Sequence, residues 1–503
     1  MVAITQANPV VATRHGKVRG AAAGGISAFK GIPYAAPPFG PNRLLPPRPV
    51  EPWSGVRDAL AFGPKSPQPE YPNFVQAVIP PETCGMGEDC LNLNIWSPDL
   101  GAAGLPVMVW LPGGVYGYHG TGASPCYDGT HFARDGVVLV TINYRVAADG
   151  FLYLDDGNTN RGMLDQIAAL QWVRDNIAAF GGDPGKVTIF GESAGAMSAG
   201  TLLPLPRAEG LFRRAILQSG AAHNVISAES ARLVARRFAQ VLGVEPAREA
   251  VAAVPIDRLL AAQVQTEGDL GARPDPELWG ADVVGPLMPW QPVVDGDLIP
   301  ARPIDLVAAG AGAGIDLLAG CNTEENRLFL LAAGALDYIT EEALAMTVAA
   351  YGLPVESTLA SYRSAYPGAS PGDLMAAVQG DWMWRIPAAH LADAHAPGPA
   401  STYMYEFAWR SPQFDGRLGA GHSVEIPFVF DTLDSGTEHL LGADPPQSLA
   451  DTMHAAWVAF ASTGECPWPK YDLARRATMR FDLEPRVMDD PLSWERRLWE
   501  GVR

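Results

Sequence analysis

The residues of this chain best placed to do chemistry lie in one stretch, VTIFGESAGAMSAG at 187–200. Val187, Thr188, Ile189 and Phe190 favour an extended strand, and small helix-tolerant residues follow Gly195. Between them, Gly191-Glu192-Ser193-Ala194-Gly195 fits a sharp corner with a serine at its apex. A glycine two residues to either side lets strand and helix approach without a Cβ clash. The corner lifts the Ser193 hydroxyl off the sheet, and the first amides of the helix point at whatever it attacks. That is the chemistry of a nucleophile. A Gly-x-Ser-x-Gly arises by chance in a Gly- and Ala-rich chain, so the flanking strand and helix carry the reading.

A serine hydroxyl needs a base, and the base needs an orienting acid. Nine histidines compete for the first role. A loop histidine usually caps a turn or is solvated, but His422 lies in Gly419-Ala420-Gly421-His422-Ser423, beyond a strand at 403–407 and before the apolar Ile426–Phe430. For the acid, the strand 316–319 runs into Gly320-Cys321-Asn322-Thr323-Glu324-Glu325-Asn326. Adjacent glutamates commonly mark a helix N-terminus. Here one can do that while the other orients a histidine, and the pattern leaves open which. The developing oxyanion needs backbone N–H groups. Ala194 supplies one. The glycine turn Pro112-Gly113-Gly114-Val115-Tyr116-Gly117, directly after an apolar strand, supplies the others.

The elements that must hold these residues alternate. Apolar runs 93–96, 107–110 and 137–144 read as strands buried on both faces. Met163, Ile167, Leu170, Val173, Ile177 and Phe180 recur at helical steps before Gly181-Gly182, so a helix leads into the serine strand. A strand at 215–217 follows, and residues 226–400 read as mostly helical, with Val234, Phe238, Val241 and Leu242 forming one stripe ended by Gly243. This is a doubly wound, mostly parallel α/β sheet with helical insertions, expected to be one domain spanning 1–503 with a long rim loop at 64–87. A net charge of −19 repels phosphate backbones, so no nucleic-acid partner is expected. The N-terminus lacks a signal-peptide pattern and no apolar run spans a bilayer. Five cysteines, Cys84, Cys90, Cys126, Cys321 and Cys466, form no framework and suit a reducing cytoplasm, with a Cys84–Cys90 bridge left open.

The segments FKGIPYAAPPFG (29–40), EDCLNLNIWSP (88–98), NYR (143–145), DQIAALQWVRDNIAAFGGDPGKVTIFGESAGA (165–196), NTEEN (322–326), GHSVEIPFVF (421–430) and WVAFASTGECPWPKY (457–471) together resemble the type-B carboxylesterases, a branch of the α/β-hydrolases that includes para-nitrobenzyl esterases and cholinesterases. The likeness runs from about residue 10 to 500. It implies an α/β-hydrolase fold with Ser193 as nucleophile, Glu325 as acid and His422 as base. Gly114, Val115 and Ala194 fall on the oxyanion donors, Glu192 and Ser219 beside the serine, and Arg43 with Glu88 on a structural ion pair. Pro112 stands where the family usually has His, Val115 where it has Gly or Ala, Asn326 and Ala147 where it has Gly. Ser66 matches the cysteine that usually bridges to position 90, which implies that this disulfide is missing.

These readings predict a serine carboxylesterase working through an acyl-enzyme on a small ester, with no metal or organic cofactor. Tyr116, Tyr118, His119 and Phe428 are expected to wall the substrate pocket, with help from the 64–87 loop and Trp290 or Trp384. Such walls favour aryl esters, and the branched Val115 favours short acyl chains. Two alternatives are an amide, carbamate or thioester hydrolase with the same triad, and a non-catalytic binding module. The spacing of His390 and His395 does not suit a metal pair, and Gly182–Val187 falls short of a phosphate loop.

Overall fold

The structure, a computed structural model, describes residues 8–71, 76 and 82–502. The extreme N-terminus and the middle of the expected rim loop, 72–75 and 77–81, lie outside the described residues.

An eleven-stranded sheet organises the molecule. In chain order its strands are β1 (Ala21–Ala23), β2 (Ile26–Pro33), β3 (Asn92–Ser97), β4 (Leu105–Leu111), β5 (Val138–Ile142), β6 (Gly182–Glu192), β7 (Arg214–Gln218), β8 (Asp316–Asn322), β9 (Thr402–Phe407), β10 (Ala477–Phe481) and β11 (Arg486–Asp489). Across the sheet they run β11-β10-β9-β8-β7-β6-β4-β5-β3-β2-β1. The central strands β10 to β5 pair in parallel, and the edges turn antiparallel. The serine strand β6 is central, between β4 and β7.

The continuous apolar runs have a direct cause. Side chains alternate across a pleated strand, and both faces here are covered. Val107, Val109 and Leu111 of β4 enter one core with Met163, Ile167, Leu170 and Val173 of the helix Arg161–Asn176. Met108 and Trp110 enter the opposite core with Met453, Trp457 and Phe460 of the helix Gln447–Thr463. The predicted strands extend further than their apolar cores. β6 starts at Gly182, so the phosphate-loop-like Gly182–Val187 is strand.

The helix predicted at 163–180 ends as α-helix at Asn176 and closes with a 3₁₀ turn, Ile177–Phe180. Arg145 fastens it to the sheet. Its Nε and Nη2 donate to the two oxygens of Asp165 at 2.8 and 2.7 Å, with both side chains fully buried. In the helical half, Ser227 Oγ caps Ala228–Leu242 and Gly243 ends it at φ 69°. The helices Pro371–Gly380 and Ile386–His395 are joined by a π-helical turn, Asp381–Arg385.

The implied Arg43–Glu88 pair is not formed. Arg43 is buried against Asp149 at 3.4 Å and donates to the carbonyls of Ala252 and Val254, whereas Glu88 is solvent-exposed. A buried guanidinium takes the acceptors that are buried with it. Ala147, one of the departures from the family pattern, sits at φ 51°. That left-handed conformation is why glycine is the usual residue there.

Candidate active site

Ser193 caps the helix Ala194–Leu202 at φ 57°, ψ −126°, a strained conformation for a residue with a Cβ. Its N–H donates to the Gln218 carbonyl of β7 at 2.9 Å, and its carbonyl accepts from Met197 N–H at 2.9 Å. The corner is tight because the chain is close to β4 on the inside. A Cβ at Gly195 would lie 1.8 Å from the Leu111 oxygen, and one at Gly191 2.6 Å from it. Only hydrogen fits.

The acid arrives from the end of β8. Glu325 Oε1 accepts from Asn322 N–H at 2.7 Å, and Oε2 lies 2.6 Å from His422 Nδ1. Glu324 turns the other way, accepting from Ala420 N–H and pairing with Arg327 and Arg410. Glu325 is therefore the one that meets the histidine, while Glu324 does not take the expected helix N-terminal place: the helix Arg327–Ala332 has no acidic residue in its first turn. His422 is brought to Glu325 by the loop after β9, where its own N–H donates to the Glu325 carbonyl at 3.1 Å.

The other imidazole nitrogen faces the residue before the serine. His422 Nε2 lies 3.0 Å from Glu192 Oε1, which also accepts from Ser423 Oγ at 2.8 Å. Among the described residues no hydrogen bond joins His422 to Ser193 Oγ. Instead Ser193, His422 and Glu192 share the wall of one cavity of 490 Å³. Burial disfavours the charged imidazole, but Glu192 and Glu325 on either side outweigh it and hold the His422 pKa well above its ordinary value. A carboxylate faces each ring nitrogen, and both favour the protonated ring.

Behind the histidine is a third acid that the sequence reading did not single out. Glu425 is fully buried, accepting from Asn322 Nδ2 at 2.7 Å and Gln218 Nε2 at 3.2 Å. Burial, then the charges of Glu192 and Glu325, push its pKa up to about 8. A glutamate inside the apolar run Val424–Phe430 was the available signal.

The glycine turn after β4 runs beside the serine. Gly114 and Val115 line the cavity, and among the described residues neither spends its N–H on another group. Val115, Tyr116 and His119 all have φ between 49° and 60°, so the loop is held in a strained shape. Ser219 lies beside Gly220, where a Cβ would be 2.7 Å from the Ser193 carbonyl oxygen. Among the described residues its buried Oγ has no hydrogen-bond partner.

Of the four residues expected to wall a substrate pocket, Tyr118 and His119 line this cavity. Tyr116 and Phe428 do not. Tyr116 is fully buried edge-on to Phe151, and Phe428 packs between Phe407 and Trp409. Both obey the general tendency of large apolar side chains to fill the core. Tyr71, Phe329 and Ile426 take wall positions instead. Trp290 and Trp384 line an adjoining cavity, and the π-helical turn sets the Trp384 ring 4.4 Å from that of His422.

All five cysteines are free, and Cys90 lies beside Ser66, the residue aligned with its family partner. Among the described residues no three His, Cys, Asp or Glu are grouped to hold a metal, and no single helix is long and apolar enough to cross a membrane.

Comparison with known proteins decides the family. A model described as the carboxylesterase family matches residues 7–499. The chain belongs to the carboxylesterase family. It is 38% identical to the para-nitrobenzyl esterase of Bacillus subtilis over 97% of this chain and 98% of that one. It is 35% identical to the phenmedipham hydrolase of Pseudarthrobacter oxydans over 95% and 94% of the two chains. The solved carboxylesterase EST55 of Geobacillus stearothermophilus superposes with a TM-score of 0.85 at 38% identity, covering 98% of this chain and all of its own. The fold is that of the α/β-hydrolases, and the protein is a carboxylic ester hydrolase.

Proposed function

We propose that Ser193, His422 and Glu325 hydrolyse short-chain or aryl carboxylic esters through a covalent acyl-enzyme. The observation that carries this reading is the 2.6 Å contact between His422 Nδ1 and Glu325 in the wall of the cavity onto which strained Ser193 opens. Ser193 Oγ attacks the ester carbonyl as neutral His422 takes its proton at Nε2. Glu325 holds Nδ1 and stabilises the imidazolium that forms. The carbonyl oxygen becomes an oxyanion facing the N–H groups of Gly114, Val115 and Ala194. When the C–O bond breaks, His422 returns the proton to the leaving alcohol. Water then attacks the acyl carbonyl with the same histidine as base, releasing acid and free serine.

Glu192 holds Nε2 in the resting enzyme, and the imidazole must exchange that contact for the serine hydroxyl. Catalytic hydrogen bonds commonly tighten only once substrate is bound. Val115 places a branched side chain at the oxyanion turn, which supports a short acyl group. The para-nitrobenzyl esterase and phenmedipham hydrolase relatives support an aryl-bearing substrate. Five free thiols support a reducing, cytoplasmic setting.

Ser193→Ala tests the assignment. Its kcat on p-nitrophenyl butanoate is expected to drop by roughly 10³- to 10⁶-fold with an unchanged melting temperature. Retained turnover, or continued labelling by a fluorophosphonate probe, would remove Ser193 from the reaction.

A further inference from the structure

A second cavity of 400 Å³ adjoins the reaction chamber, and the two share Val115, Tyr118, Leu287 and Phe329 as common wall. Among the described residues its lining is aromatic, including Trp290, Trp382 and Tyr351, and contains a single carboxylate, Glu267, with no Lys, Arg or His. Glu267 projects from the helix Ile256–Ala272. One oxygen accepts from Tyr118 Oη and the other from Trp290 Nε1 at 2.8 Å. These two donors are neutral, so they fix the carboxylate without balancing its charge. A carboxylate has about four acceptor sites, which leaves capacity for a ligand. Glu267 is also close to the chemistry: a Cβ on Gly117 of the oxyanion turn would lie 3.2 Å from its Oε1.

An unbalanced carboxylate among aromatic faces attracts a positive group. Rings present negative faces to a cation, and water cannot fully screen the charge in a half-enclosed cavity. The reaction chamber adds Glu192, which is in contact with His422, and among the described residues has no Lys or Arg on its wall. A net charge of −19 draws cations towards the molecule as a whole. We propose that the side cavity is a subsite for a substituted-ammonium arm of the ester, selected by Glu267. This rests on the hydrolysis proposed for Ser193 and adds which esters are favoured. Burial raises the Glu267 pKa, so a bound ammonium relieves a charge that the empty cavity disfavours.

The alternative is that Glu267 only braces Tyr118 and Trp290. A brace would affect charged and neutral esters alike, so the readout is a ratio. The first pair is p-nitrophenyl 4-(trimethylammonio)butanoate and its carbon isostere, p-nitrophenyl 5,5-dimethylhexanoate. The second places the charge on the other arm: 3-(trimethylammonio)propyl butanoate against 4,4-dimethylpentyl butanoate. In at least one pair the wild type should prefer the cation by about 10-fold in kcat/KM. Glu267→Gln should bring that ratio to about one. Leu330→Lys, which sets a competing cation in the same wall, should do the same if the first variant does not fold. No cation preference in either pair, or a preference that survives in a folded variant, would overturn the subsite. In that event neutral-ester hydrolysis still depends on Ser193. If instead the Ser193 reading is wrong, Ser193→Ala hydrolyses the neutral esters.

Discussion

His422 stands between two carboxylates, and only one of them helps the reaction as drawn. Glu325 holds Nδ1, while Glu192 competes with the serine for Nε2. Both favour the protonated ring, so the base is available only after the pH has risen through a pKa held well above the ordinary value. The acid limb of kcat/KM is therefore expected above pH 6.5, the unperturbed histidine value. Removing one negative neighbour lowers that pKa. In Glu192→Gln the acid limb should move to lower pH, with Ser423 still able to donate to the amide oxygen. A pH–rate profile measures this, and a limb that stays put or moves upward would contradict it. Ser193, His422 and the Glu324-Glu325 pair stood out because acyl transfer demands those residue types on loops at strand ends, and within the pair only the family resemblance pointed to Glu325. The Glu192 contact was not legible, since sequence does not say which way a loop imidazole rotates. Tyr116 and Phe428 were misjudged for a related reason: an aromatic near a site reads the same whether it faces the cavity or the core.

The element that fixes the site is the corner between β6 and the helix Ala194–Leu202, and it depends on β4 passing directly beneath. A methyl at Gly195 would sit 1.8 Å from the Leu111 carbonyl oxygen, too near for a rotamer change to relieve because the backbone fixes the Cβ and the oxygen is itself backbone. Gly195→Ala should cost upward of roughly 3 kcal/mol or prevent folding, and abolish turnover. Gly314→Ala is the control, since a Cβ there meets nothing within 4 Å. Thermal melts and soluble yield compare the two. Equal behaviour would mean that the close approach does not constrain the corner. Strand and helix identity were readable here, from the β-branched run and the small residues that follow it. The π-helical turn at Asp381–Arg385 was not, because one extra residue in a helix leaves no periodic trace over five positions.

At the scale of the whole molecule, the fold buries acids in two places, Glu192, Glu325 and Glu425 around His422 and Asp381 with Glu495 around Arg385, and protons held there have consequences for stability. Strand alternation and apolar runs foretold both covered faces, but not which buried acids would meet. Glu425 meets Glu192 and Glu325, and its pKa rises to about 8. Glu495, beside Arg385 and Asp381, is raised by burial to about 7. His422 is raised as well. In each case the folded chain keeps a proton that the unfolded chain has released, so stability falls as pH rises through these values. His15, His119, His395 and His454 have lowered pKa values and act oppositely, but only below about pH 6.5, where unfolded histidine titrates. Above that point the raised groups act alone. The melting temperature should therefore decline between about pH 6.5 and 8.5, and Glu425→Gln, which cannot ionise, should decline less steeply over that range. A wild-type melting temperature that is level or climbing across the same interval would mean that these carboxyls are already ionised in the folded protein, and that the cluster behind His422 carries its full negative charge at neutral pH.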